Sequence, residues 1–354
     1  MIWLTWRQFR GAAAMMAAAL LVLAAVLAVT GPGLAAEYSA GITACTAERG
    51  GCARFFDRFF QEYQTPFVLV TAIGVVLPAL AGLFWGAPLI TRELEAGTHL
   101  LVWNQSITRA RWLAVKLTVI GLAAVAAAGL GSLAVTWWSG PLDKSAAPGF
   151  ALMDPLVFGA RGIVPMGYAA FAFVLGVTVG MLVRRTLTAM AVTLAVFAAL
   201  QVVVPLLARP HLQPPVTSAF QLSQENVDVF GLPRDGTSPR VALDNAIPGH
   251  TGAWVLSSRL VDPAGRPMIS DDAGAVIPVS VTSGPCAPPS MAAPGEGGMD
   301  GCLAEVNRLG YRQQATYHPF TRFWTFQAIE TGAYAVLTLG LTGFCFWWIR
   351  RRLS

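Results

Sequence analysis

Six stretches of this sequence, at 11–30, 66–90, 113–138, 162–183, 186–208 and 331–349, run for 19 or more residues without Asp, Glu or Arg. The one charge inside any of them is Lys116, at the start of the third. About 20 successive apolar residues cross a bilayer as a helix, so each block has the length of a span. Only 12% of the chain is charged, against about 25% in a soluble domain, and this too fits a chain surrounded by lipid. Pro78, Pro88, Pro165 and Pro205 fall in the blocks. Helix bundles tolerate such prolines because neighbouring groups satisfy the freed carbonyls. The fold class expected is an all-α polytopic membrane protein with six transmembrane helices and a β-containing exterior domain between the fifth and sixth.

Charge sets the orientation. With the N-terminus inside, Arg7, Arg10, Arg92, Arg109, Arg111, Lys116, Arg184, Arg185 and Arg350–Arg352 all fall on the inner side. Among acidic residues only Glu93 and Glu95 join them. This is the positive-inside bias, and it makes both termini cytoplasmic. Trp3, Trp6, Trp112, Trp137, Trp138, Trp347 and Trp348 fall near span ends, where the amphipathic indole prefers to sit. A cleaved signal peptide is the alternative for the first block, since Arg7 and Arg10 precede an apolar run and Leu34-Ala35-Ala36 is a poor cleavage site. The preponderance of Arg over Lys, of which there are only Lys116 and Lys144, suggests a GC-rich bacterial genome and hence a bacterial cell membrane.

The segments divide as 1–208, carrying five spans and a cytoplasmic segment at 91–111; 209–321, an exterior domain; and 322–354, the sixth span with a basic tail. Cys45 and Cys52 share one exterior loop and Cys286 and Cys302 the other, so two disulfides are expected in an oxidising exterior. Four unpaired thiols remain the alternative, and the spacing does not suit zinc. Phe55, Phe56, Phe59, Phe60 and Tyr63 recur at helical spacing. They predict an amphipathic helix that lies on the outer leaflet, leads into the second span, or packs on the exterior domain. In 209–321, the stretches 253–256 and 276–281 read as strands, with 262–265 a turn between them.

Catalytic signatures are missing from the sequence: it holds no G-x-x-x-x-G-K-[ST], H-E-x-x-H or G-x-S-x-G. His99, His211, His250 and His318 are scattered. No enzyme activity and no cofactor are expected, and the basic residues form no stripe suited to nucleic acid. An ion-coupled transporter places ionisable groups within its spans, and the charge-free blocks argue against that. Glu330, beside the sixth block, has Arg161 or Arg322 as a candidate partner at its depth. The informative segment follows the second span. Gly97 can end a helix and Thr98 can cap a short new one carrying Leu100, Leu101, Val102 and Trp103; Ser106 or Thr108 then caps the third span. Such a knob suits either docking to a soluble partner or lying flat in the membrane interface. Gly82-x-x-x-Gly86 and Gly176-x-x-x-Gly180 permit close helix approach, within one bundle or between copies.

The pattern R-E-x-E-x-G-T at 92–98, followed by S-x-T-R-x-R-W-x-x-x-K at 106–116, resembles the permease subunits of ABC-2-type ATP-binding cassette transporters. The end of the chain, from Ala328-Ile329-Glu330-Thr331-Gly332 to Arg350-Arg351-Arg352, is similar to a bacterial branch of that family. The resemblance implies that Arg92, Glu93, Glu95, Gly97 and Thr98 shape a coupling helix, with Leu100, Leu101 and Trp103 as its apolar contact with a separate cytosolic ATPase subunit. It further implies a second permease copy, identical or paralogous, with the substrate crossing between the two and membrane lipid around them; the function expected is ATP-driven export. The alternative function is a non-transporting membrane protein whose exterior domain binds or senses a ligand.

Overall fold

The computed structural model describes residues 2–47, 52–97, 108–147, 149–231, 239–271, 274–287 and 299–351. The chain divides into two compact units, one comprising Met1–Ser145, Pro155–Leu212 and Phe323–Ser354, the other Ala146–Asp154 and Gln213–Arg322. Among the described residues, six helices are long and apolar enough to cross a membrane. The chain is a multi-pass membrane protein of the expected class.

In the first unit, α1 spans Ile2–Ala47. The second rod comprises α2 (Ala53–Leu80), a π-helical turn (Ala81–Gly86) and α3 (Ala87–Glu95). There follow α4 (Arg109–Lys144), the single turn α5 (Pro155–Phe158), α6 (Val164–Val183) and α7 (Thr186–Val203). A second π turn (Val204–Ala208) and a 3-10 turn (Arg209–His211) extend α7. Helix α8 (Met299–Arg308) lies in the second unit, and α9 (Phe323–Arg351) is the sixth span. Each π turn adjoins a proline. Pro88 offers no N–H to the carbonyl of Phe84, and Pro205 sits inside the second π turn. An inserted residue relieves the clash a proline ring makes with the preceding turn.

The helices outrun their apolar blocks. At 46 residues, α1 is ~69 Å long, about twice a bilayer's hydrocarbon thickness. Its far end pairs with the start of α2. Tyr38 meets Phe55, Phe56 and Phe59 at centroid distances of 6.2, 6.5 and 5.6 Å. Tyr63 Oη donates to Glu37 at 2.6 Å. The aromatic segment at 53–63 therefore leads into the second span, with its ring face packed on α1. The disulfide Cys45–Cys52, with a Cα separation of 5.2 Å, closes this hairpin.

Helix α6 is the hub. Its sequence is apolar all round, as a helix surrounded by protein must be, and it contacts α2, α3, α4, α7 and α9. The core around it includes Phe9, Trp85, Ile90, Leu113, Ile120, Phe173, Val177 and Cys345.

The second unit contains two antiparallel sheets. Strands β1 (Val216–Phe220), β2 (Val227–Gly231), β3 (Arg240–Leu243), β4 (Trp254–Val261), β5 (Ser270–Asp271), β6 (Gly274–Val276) and β7 (Arg312–His318) pair in the orders β1-β7-β4 and β2-β3-β6-β5. The expected turn after β4 is present. Asp262 Oδ1 accepts from Ala264 N and Arg266 N at 2.9 and 2.8 Å, and Gly265 takes φ +76°. Of the expected strand at 276–281, only Val276 lies in a ladder, as the end of β6. Cys286 and Cys302, bonded with a Cα separation of 4.3 Å, pack in the core with Leu222, Val241, Leu260 and Val306. Closing a loop of this size stabilises by about 3 kcal/mol in the chain-entropy model. The Cys286→Ser/Cys302→Ser variant should unfold at correspondingly lower denaturant in the second unit, followed by Trp254 fluorescence. An unchanged midpoint would remove the bond from the stability of that unit.

Candidate coupling site and buried charge pairs

The segment that carries the R-E-x-E motif emerges where three spans meet. Helix α3 ends at Glu95, and Gly97, at φ +67°, takes the left-handed conformation that follows many helix ends. The next described residue is Thr108, whose Oγ1 accepts from Arg111 N at 3.3 Å and caps α4. Thr98, Leu100, Leu101 and Trp103 lie outside the described residues.

Both glutamates of the motif are straps. Glu93 Oε1 accepts from Lys116 Nζ of α4 at 2.5 Å, and that lysine is 3% exposed with its ammonium 4.6 Å from the Trp112 ring centroid. Glu95 accepts from Thr186 N at 2.8 Å and from Thr186 Oγ1 at 2.6 Å. Its carboxylate thus sits at the N-terminus of α7, where backbone N–H groups and the helix dipole favour negative charge. The sharp reversal from α6 to α7 that brings Thr186 there runs through Arg184, at φ 56°. Arg92 directly precedes the two straps in sequence and is exposed.

The other end of α7 carries a correction. The charge-free blocks predicted a bundle without ionisable groups, yet the longer helices bring buried ion pairs into it. Arg209 donates from Nε to Glu330 Oε2 at 2.8 Å and from Nη2 to Glu330 Oε1 at 3.0 Å, with both side chains about 2% exposed or less. Tyr168 Oη donates to the same carboxylate, and the Arg209 guanidinium sits 4.3 Å from the Phe158 ring centroid. Glu330 therefore pairs with Arg209, not with Arg161 or Arg322. Arg161, 1% exposed, instead faces Asp143 of α4 at 3.5 Å. Gln327, one turn before Glu330 on α9, accepts from Ile163 N and Val164 N through Oε1 and so caps α6. Sequence reasoning missed Arg209, Tyr168, Asp143 and Gln327 because each lies just outside a charge-free block or is apolar enough to pass within one. An acidic residue beside a span demands a cation at its own depth, and that was the available signal.

The small-residue motifs meet each other within one chain. A Cβ on Gly82 would lie 2.6 Å from the Ala172 carbonyl oxygen, and one on Gly180 2.8 Å from that of Ala87. One on Gly86 would strike the Phe173 carbonyl. Backbone contact of this kind requires glycine on both helices.

These features lie largely within the region that similarity identifies. Residues 17–209 match the family described as ABC-2 membrane transporter related. No curated protein and no solved structure matches the chain. With more than half its length matched and six membrane-crossing helices, the chain belongs to the ABC-2 membrane transporter related family.

Proposed function

We propose that the chain is the transmembrane permease subunit of an ATP-driven exporter in a bacterial cell membrane, with both termini cytoplasmic. The 91–111 segment docks on a separate cytosolic ATPase. A second permease copy or a close paralogue completes the path. Family membership supports a transport role; the excess of Arg and Lys over Asp and Glu around 91–116 and 184–185 supports an inward face for this segment. The observation that carries the coupling reading is the pair of straps. Glu93 holds the segment to α4 and Glu95 holds it to α7, so a push on it passes to three spans together. A drug-like, lipidic or peptidic molecule would cross between the two permeases as they tilt.

Two substitutions test the coupling. Gly97→Pro removes the left-handed turn, and Trp103→Glu places a charge in the apolar contact. Both should reduce co-purification with the ATPase by tenfold or more, the factor lost with ~1.4 kcal/mol of docking energy, while membrane insertion is retained. Wild-type complex formation by both variants would overturn the assignment, as would a reporter at Leu101 that reads out on the exterior face.

A further inference from the structure

A cavity of about 280 Å³ lies between α1 and the second rod, with Ile120 of α4 at its back. Its walls are Phe9 and Ala12 on one side and Phe84, Trp85 and Leu89 on the other, with Arg92 at its mouth. Phe9 and Trp85 meet edge to face at 4.7 Å and close its floor. The π turn leaves Trp85 buried and Phe84 53% exposed, so the cavity opens towards the lipid side of the rods.

Its polarity is graded with depth. From Arg92 to Phe84 the rod rises eight residues, ~12 Å. The rim carries charge and the interior is apolar. Thr5 of α1 also lines it, whereas Arg7 and Arg10, both exposed, are not among its lining. Glu93, the one acidic residue of the lining, turns its carboxylate to Lys116. With Glu93 engaged by Lys116, the exposed guanidinium of Arg92 is the charge the rim presents above an apolar slot.

We propose that this cavity seats one acyl chain of an anionic phospholipid, with its phosphate at Arg92. A cationic rim over an apolar slot matches that ligand from end to end: the headgroup meets arginine and the chain meets Phe9, Ala12, Phe84 and Leu89. The site adjoins the Glu93 strap, so the lipid braces the segment that leaves the bundle there. The inference stands independently of any ATPase partner.

The test uses the full chain in mild detergent, supplied with phosphatidylglycerol, phosphatidylcholine or inorganic phosphate, with bound mass read by native mass spectrometry. Wild type should retain one phosphatidylglycerol per chain, and excess phosphate should not displace it. Ala12→Trp and Leu89→Trp fill the slot and should lower retention by about tenfold or more, the factor that two lost methylene contacts alone would produce. Met15→Trp adds the same bulk at an exposed position of α1 and should retain lipid as wild type does. Arg92→Gln should cut the preference for phosphatidylglycerol over phosphatidylcholine by about fivefold. Equal retention in both slot-filling variants, equal retention of the two lipids by wild type, or displacement by phosphate would each overturn the proposal. Loss of dimer without loss of lipid in the slot-filling variants would do so as well, making a second copy the occupant.

Discussion

Glu330→Leu is expected to destabilise the helical unit by about 3–5 kcal/mol, because it strips a fully buried guanidinium of the carboxylate it pairs with. Arg209 has two hydrogen bonds to Glu330 and a ring face at Phe158. With the carboxylate gone, the flat ring face and the Tyr168 hydroxyl are what remains. Arg209→Met should cost a similar amount, since it leaves the carboxylate with the phenol alone. The double variant Arg209→Met/Glu330→Leu should recover most of the loss, because apolar residues of similar volume replace buried ion pairs at little or no cost. Thermal unfolding in detergent, followed through the helical signal, measures the cycle. Additive losses in the double variant would show that the two side chains act separately.

A second large effect is expected where the two small-residue motifs cross. Gly176→Ala adds one carbon 2.5 Å from the Gly82 carbonyl oxygen and 2.7 Å from the Ala87 amide nitrogen. Both are backbone atoms, so neither can swing aside as a side-chain tip would. Overpacking of a tight core costs about 1–3 kcal/mol and more where the backbone must move. Gly86→Leu should go further and prevent α6 from docking, which would be read as loss of monodisperse protein after extraction. Gly340→Ala is the control. Nothing lies within 4 Å of a Cβ there, and alanine favours helix by about 1 kcal/mol over glycine. The two alanine substitutions should therefore shift the midpoint in opposite directions. A drop of the same size at Gly340 would deny the crossing any special tightness.

Much of the membrane fold was legible because lipid imposes one strong rule: segments that cross it avoid charge for about 20 residues. That rule located all six spans but not their ends. Beyond the hydrocarbon, helix continuation depends on packing, and α1 continues to Ala47 because Tyr38 packs on α2 and Cys45 is bonded to Cys52 just before it. The second unit was harder to read for the opposite reason. Strand β7 runs Arg-Gln-Gln-Ala-Thr-Tyr-His and forms the centre of its sheet. Gln313 there is fully buried, accepting from Asn226 and donating to the Ala246 carbonyl and to Ser258. A polar side chain satisfied on every side leaves no hydrophobic period to find. The motif around Glu93 and Glu95 was visible as a pattern, but the identity of its anchors was not. Lys116 and Thr186 lie 23 and 91 residues on, and only the tertiary fold brings them together.

Arg209 and Glu330 are 121 residues apart, and the ribosome makes them in that order. At about 5–20 residues per second, synthesis of the intervening chain takes on the order of ten seconds. Through that interval the Arg209 guanidinium waits for a counter-charge not yet translated, while a whole β-containing unit is made between the two. Biogenesis of this protein thus holds a state with five helices inserted and one cation uncompensated, and insertion of α9 ends it.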